Sequence, residues 1–203
     1  MNVDYWEKSY GKNVLQTSWH YLRFRVIRKI LDKLPNGANI LDVGCGSGFT
    51  IGKCLPPNKK FNIHGVDTTR ELIAHAKKYR PNYHFKCGYA EKLPYKNREF
   101  DAITYLDVIE HVTDPVQSLK EAKRVLKDKG FIVIEVVKEH HPIFRIIWWF
   151  WIRTKGKVWH ETHLHIFDEK SLTELIEKSG FKTTSLQKIQ FGMGIIATAY
   201  KKK

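Results

Sequence analysis

An α/β fold around a mostly parallel, seven-stranded sheet is what this sequence predicts, and three observations point to it. Strand-like apolar runs alternate with helix-like periods along the chain, the pattern of helices layered on a sheet. No internal repeat or low-complexity linker divides the 203 residues, so residues 1–203 read as one domain with a full core. The last two strand-like runs, Phe181–Ile189 and Ile195–Tyr200, are joined near Gly192-Met193-Gly194 without a helix, so the final strand is expected to run antiparallel as a hairpin.

The elements can be placed in order. Residues 1–35 read as a helical cap, with Leu22, Val26, Ile30 and Leu34 spaced by fours. Asn39–Val43 is a short strand that breaks on glycines, and a helix is expected from near Ser47. Phe61–Val66 is the second strand. A helix over Thr69–Tyr79 stops ahead of Pro81, because the residue before a proline avoids the helical region. Tyr83–Cys87 is the third strand and Phe100–Leu106 the fourth, mostly apolar as suits a strand covered on both faces.

Asp114 can cap the next helix, with Pro115 at its first position and Leu119, Ala122 and Leu126 on one face until Lys127-Asp128-Lys129-Gly130 ends it. Phe131–Val137 is the fifth strand, followed by an insertion over residues 138–160. Asp168 caps the last helix, with Phe167 and Leu172 at staple positions and Leu172, Leu175 and Ile176 on one face until Ser179-Gly180.

The chain carries 35 Lys and Arg against 21 Asp and Glu, a formal net charge of +14. Residues 1–35 and 138–157 hold +4 each, as much as the whole of residues 36–137. Lys201, Lys202 and Lys203 read as a solvated basic tail. With 42% hydrophobic residues, disordered and collagen-like classes are excluded. Cys45, Cys54 and Cys87 form no CxxC or Cys/His ligand set and fit reduced thiols in a cytosolic compartment. Met1–Tyr10 lacks the continuous apolar stretch of an export signal. Ile143–Ile152 is apolar for ten residues but contains Arg145, and about twenty are needed to cross a bilayer.

Ile40–Thr50, ILDVGCGSGFT, puts Gly44, Gly46 and Gly48 where a strand turns into a helix, so backbone amides can approach a ligand that a Cβ would push away. The glycines fall as G-x-G-x-G after Asp42, not as the G-x-G-x-x-G of dinucleotide sites, because the sixth position from Gly44 is Phe49. Asp67 ends the second strand in His64-Gly65-Val66-Asp67, where a carboxylate can accept both hydroxyls of an adenosine ribose. It can also cap the following helix.

The runs ILDVGCGSG, GVD, CGYAEKLPYKNREFDAIT, LDVIEHVTDP and LKEAKRVLKDKGFIVIEV together resemble class I S-adenosylmethionine-dependent methyltransferases of the small-molecule branch that includes quinone methylases. The likeness is close over residues 39–137 and continues in HLHIFDEKSLTELIEKSGF, whereas residues 1–35 and 138–160 match it poorly. It implies a Rossmann-like, doubly wound sheet, with S-adenosylmethionine as cofactor and S-adenosylhomocysteine as product. Carried over by position, it implies that Gly44, Cys45 and Gly46 line the methionine part of the cofactor and Asp42 supports its ammonium. Asp67 would hold the ribose, Thr68 lie beside the adenine, Ala90 and Glu91 border its edge, and Leu106 and Asp107 flank the sulfonium. The family often has Asp where this chain has Tyr89, so Tyr89 stacking or Glu91 takes the place of the usual contact to the adenine amino group.

Methyl transfer from a sulfonium is an in-line displacement in which alignment and desolvation supply much of the acceleration. A phenol or enol acceptor also benefits from a base. His111, just beyond the fourth strand, stands where strand ends in open α/β sheets point at ligands and is the catalytic candidate; the competing reading is a histidine bonded to a nearby backbone group. His140, His141, His160, Glu161, His163 and His165 resemble a metal cluster by count. No spacing repeats a known ligand set, however, and no metal is assigned. His163 and His165 alternate like one face of an extended segment, as in a structural or substrate-wall role.

The insertion holds four of the six tryptophans together with Arg145, Arg153, Lys155 and Lys157. Aromatic and basic residues together suit a lid over a lipophilic acceptor that also touches an anionic membrane surface, and equally a buried cap or dimer contact. The expected protein is a cytoplasmic, membrane-peripheral methyltransferase of a small or lipid-like acceptor. A nucleic-acid methyltransferase ranks below it, since no nucleic-acid module is recognisable and the charge forms no single stripe. A cofactor- or lipid-binding module without activity is the third reading; the presence of Asp42, the glycines and Asp67 speaks against decay. Tyr5, Trp6 and Tyr10 either fold over the cofactor or pack the N-terminal helix.

Overall fold

The computed structural model describes Glu7, Tyr10 and residues 14–138 and 163–202. The insertion beyond Lys138, and Tyr5 and Trp6, lie outside the described residues. Helix α1 (Val14–Leu31) precedes β1 (Asn39–Val43), α2 (Phe49–Cys54), β2 (Asn62–Asp67), α3 (Arg70–Tyr79), β3 (His84–Cys87) and β4 (Phe100–Leu106). A 3₁₀ turn (Ile109–His111) leads to α4 (Pro115–Val125) and β5 (Leu126–Val137). Then come α5 (Glu169–Lys178), β6 (Phe181–Ile189) and β7 (Gly194–Lys201).

The seven strands form one sheet in the order β3-β2-β1-β4-β5-β7-β6. Strands β1 to β5 pair in parallel, and β7 lies antiparallel between β5 and β6, as expected from the short connection. The chain runs outward from β1 to β3 and then restarts on the other side of β1 with β4. The connections therefore part between β1 and β4, opening a crevice beyond their carboxyl ends.

Side chains alternate across the sheet. Leu41, Val43, Ile103, Tyr105, Ile132 and Ile134 share a core with Leu119 and Ala122 of α4 and Leu172 and Ile176 of α5. Ile40, Ile63, Ala102 and Val133 point to the other face, against Ile27 and Leu31 of α1 and Ile51 of α2. Each fully buried Ile or Leu contributes about 1.5–3 kcal/mol. Asp114 caps α4 by accepting from the Gln117 amide at 2.9 Å, with Pro115 behind it. Asp168 and Ser171 form a reciprocal capping box on α5, beside buried Phe167 and Leu172.

Three expectations are corrected. Of the expected apolar stripe of α1, Ile30 and Leu34 are buried and Val26 packs against the core, but Leu22 is 43% exposed; the buried face also takes in His20, Arg23, Phe24, Ile27 and Leu31. Steps of four overshoot a helical turn by about 40° each, so the run drifts across the helix surface and its first member, Leu22, lies off the face on which the later ones are buried. The helix after the glycines starts at Phe49, not Ser47, because Gly48 at φ +74 is its cap. Strand β5 begins at Leu126, which pairs with Phe100 before the register shifts to Ala102 and Phe131. Residues 127–130 are thus a bulge in the ladder and not a separate turn.

Candidate functional site

The loop after β1 is a tight bend whose amides are bonded within the protein. Gly44 has φ +67, and a Cβ there would lie 2.5 Å from a methyl of Val108, so both the conformation and the space require glycine. The amides of Gly44 and Cys45 donate to the carbonyl of Val66 at 2.8 and 3.0 Å, tying the bend to the end of β2. Asp67 follows at once. One of its oxygens accepts from the Gly46 amide at 2.9 Å and the other from the Thr69 amide at 2.8 Å.

A cavity of about 340 Å³ opens beside this bend, within the range of small-ligand sites. Its wall brings together Gly44, Asp67, Thr68, Ala90, Glu91, Asp107 and His111, seven of the expected site residues, with Tyr89 beside them. Val43, Val66, Val108 and Val112 supply an apolar lining. Asp42, Cys45, Gly46 and Leu106 are not in the wall. Asp42 is buried below the bend at 2% exposure. The Cys45 thiol packs with Phe85, Ile73 and Ala76. Leu106 sits in the core under α1. Tyr10 packs edge-on against Phe49, 5.5 Å between ring centroids, in the helical layer and not in the cavity wall.

Buried charge is concentrated behind the cavity. Burial pushes the Asp42 carboxyl up to about 7; a 2.5 Å hydrogen bond from Thr104 opposes the shift, the Asp67 charge adds to it, and Arg23 opposes it. Arg23, 4% exposed, comes from α1 and ion-pairs with Asp107, and with Glu135 of β5 at 3.3 Å. Burial works against the charge of the guanidinium, but the two carboxylates outweigh it and hold the proton more firmly than usual. Burial drives Glu135 up to about 8 against the attraction of Arg23. Asp107 adopts φ 57, a left-handed backbone that a non-glycine residue keeps only where its surroundings hold it. Its amide donates to the carbonyl of Glu135 at 3.2 Å.

Arg23 and Glu135 escaped sequence reasoning because 84 and 112 residues separate Arg23 from its two partners. A signal existed nonetheless. Arg23 falls in the same period as Ile27, Ile30 and Leu31, and a charge on the apolar stripe of a helix has to meet a partner.

His111 closes the 3₁₀ turn after β4, and its ring lies 4.6 Å from that of His163. The stretch before α5 is stapled to this turn: the amides of Leu164 and His165 donate to the carbonyl of Glu110 at 2.9 and 3.0 Å, and the His165 ring meets the carbonyl of Val112 at 3.0 Å. Glu110 is 4% exposed, and burial raises its carboxyl well above the usual range. Burial, then the nearness of His111, lowers His163. Among the described residues, no helix is long and apolar enough to cross a membrane.

These residues fit a nucleoside with a cationic chain. The Asp67 oxygens keep lone pairs beyond the two amides they accept, and Ala90 and Val66 offer apolar surface. Comparison with known proteins agrees. The family described as methyltransferase domain matches residues 16–186. A demethylmenaquinone methyltransferase of Lactobacillus johnsonii is 27% identical over 209 residues, covering 93% of this chain and 84% of that protein. Another, from Staphylococcus haemolyticus, is 27% identical over 82% of this chain and 78% of that protein. The YcgJ protein of Bacillus subtilis shares the fold, with a TM-score of 0.68 at 17% identity over 89% of this chain and 98% of that one. With a family match over most of its length and the fold to go with it, the chain belongs to the methyltransferase-domain family and is a class I S-adenosylmethionine-dependent methyltransferase.

Proposed function

We propose that the protein methylates an oxygen or carbon of a small, lipophilic quinol-like ring. The observation that carries this reading is the sharing of one cavity of about 340 Å³ by the bend at Gly44, Asp67 and His111. The demethylmenaquinone methyltransferases among its relatives supply the acceptor class. S-adenosylmethionine supplies a methyl group on a sulfonium leaving group.

Asp67 accepts the ribose hydroxyls, Thr68 lies along the adenine, and Ala90 and Glu91 border its edge, with Tyr89 free to stack. The backbone at Gly44 lines the methionine part, with the Asp42 carboxyl buried below the bend. Asp107 flanks the sulfonium at the end of β4. The valines of the cavity wall exclude water from the line of transfer. His111 accepts the proton of an acceptor hydroxyl as the new bond forms, a step within the reach of a neutral imidazole.

Incubation with S-adenosylmethionine and demethylmenaquinol tests the proposal. The expected result is acceptor-dependent release of S-adenosylhomocysteine, reduced by about 10²-fold or more in His111→Ala. Binding of S-adenosylhomocysteine without turnover of any quinol would reject the acceptor class; failure to bind it would reject the cofactor placement.

A further inference from the structure

We propose that Glu110, His111 and His163 form a binding site for a divalent transition-metal ion at the edge of the cavity. One ligating atom from each residue lies within 4.8 Å of those of the other two. Ions of this class hold nitrogen and oxygen ligands at about 2.0–2.2 Å, which places neighbouring donors about 3–4 Å apart, so small side-chain rotations close the set. Glu110 is 96% buried by its 4% exposure, and its Oε2 has no hydrogen-bond partner among the described residues. Asp107 Oδ1, nearby, is also buried without one. A buried carboxylate oxygen left unpaired is expensive, and a cation is the species that satisfies it without a donor.

The framework holds the three groups in place. Glu110 and His111 sit in one 3₁₀ turn, and the two amides that donate to the Glu110 carbonyl bring the segment carrying His163 against it. Two imidazoles and one carboxylate select zinc, iron(II), cobalt(II) or manganese(II) over magnesium or calcium, which prefer oxygen alone. Such a set also leaves coordination positions open. His111 belongs to the cavity wall, so the open side faces the acceptor space.

The binding of the ion stands on this geometry alone; its use rests on the methyl-transfer reading above. In the loaded protein the ion grips an acceptor oxygen and His111 serves as its ligand. In the unloaded protein His111 meets the acceptor hydroxyl directly. The acceptor class narrows accordingly to rings bearing a hydroxyl or enol oxygen.

The test uses the full chain, stripped with a chelator and titrated with cobalt(II) and with zinc, with S-adenosylhomocysteine affinity measured on every sample. One ion per chain and a visible cobalt spectrum of nitrogen ligation are expected. His163→Ala and Glu110→Gln should each weaken zinc binding by at least about tenfold. Cys87→Ser, at the exposed thiol, should leave it unchanged. The proposal is overturned if the wild-type chain binds neither ion, or if both variants bind zinc like the wild type. Loss of binding in His84→Ala would also overturn it, since that would point to the His64–His84 pair, whose rings lie 4.9 Å apart. If His163→Ala also loses S-adenosylhomocysteine, Glu110→Gln and the wild-type cobalt spectrum decide. Zinc binding without S-adenosylhomocysteine binding would reject the methyl-transfer reading and keep the metal site.

Discussion

Asp67, the last residue of β2, accepts the Gly46 amide at 2.9 Å, so the carboxylate and the glycine bend form one hydrogen-bonded unit. Asp67→Ala should weaken S-adenosylhomocysteine binding by at least about tenfold, the loss of one charge-assisted hydrogen bond worth roughly 1.5–3 kcal/mol. Asp67→Asn should fall between, because its amide oxygen still accepts. Calorimetry measures this, and equal affinities would reject the ribose assignment.

The glycines should differ in their tolerance of a methyl group. In Gly44→Ala the new Cβ meets Val108 at 2.5 Å as well as a positive φ, whereas at Gly46 no atom lies within 4 Å and only the φ of +51 opposes the change. Gly46→Ala should therefore cost about 1–2 kcal/mol and Gly44→Ala more, through strain and overpacking. Thermal melts of both variants check the ranking, and equal melting shifts would contradict it.

Arg23 joins α1 to the sheet through Asp107 and Glu135. Arg23→Met leaves Glu135 buried without its cation, and about 3–5 kcal/mol of stability should be lost. Adding Glu135→Gln removes the stranded charge, so the double variant should be more stable than Arg23→Met alone. A double-mutant cycle by urea unfolding gives the coupling, and strict additivity would show that the pair does not interact.

Asp42 makes stability depend on pH. Its carboxyl is pushed up to about 7 in the fold from an ordinary 3.8, so the folded chain binds that proton more tightly than the unfolded chain. The resulting stabilisation is complete below about pH 4 and is lost as pH rises through about 7, roughly 2–4 kcal/mol in all. Asp67, Arg23 and Thr104 are the groups that modulate it. Asp42→Asn should flatten this part of the profile, making the loss of stability between pH 5 and pH 8 smaller than in the wild type. Urea midpoints at both pH values measure the difference, and parallel profiles would reject the assignment.

Most of the architecture was legible along the chain. The strands at Asn39–Val43 and Phe100–Leu106, the Asp114 and Asp168 caps and the antiparallel hairpin all rest on local signals: apolar runs, a capping carboxylate, a glycine-bounded turn. The glycine bend and the acid ending β2 were legible for the same reason, since each is a short motif at a strand end. Only Leu22 was misplaced on the inward face of the N-terminal helix, because four-residue spacing resembles helical spacing over one turn and departs from it over three.

Sequence alone determined the class of fold, the bend with its acid, and the position of His111 beyond a strand end, because each follows from backbone geometry within a few residues. Only the tertiary structure decided what charge lies behind them. It carried Arg23 from the N-terminal helix to Asp107 and Glu135, and folded His163 back onto Glu110 and His111. Such pairings join residues far apart along the chain, and their energy comes from shared burial away from water, which no local pattern of residues encodes.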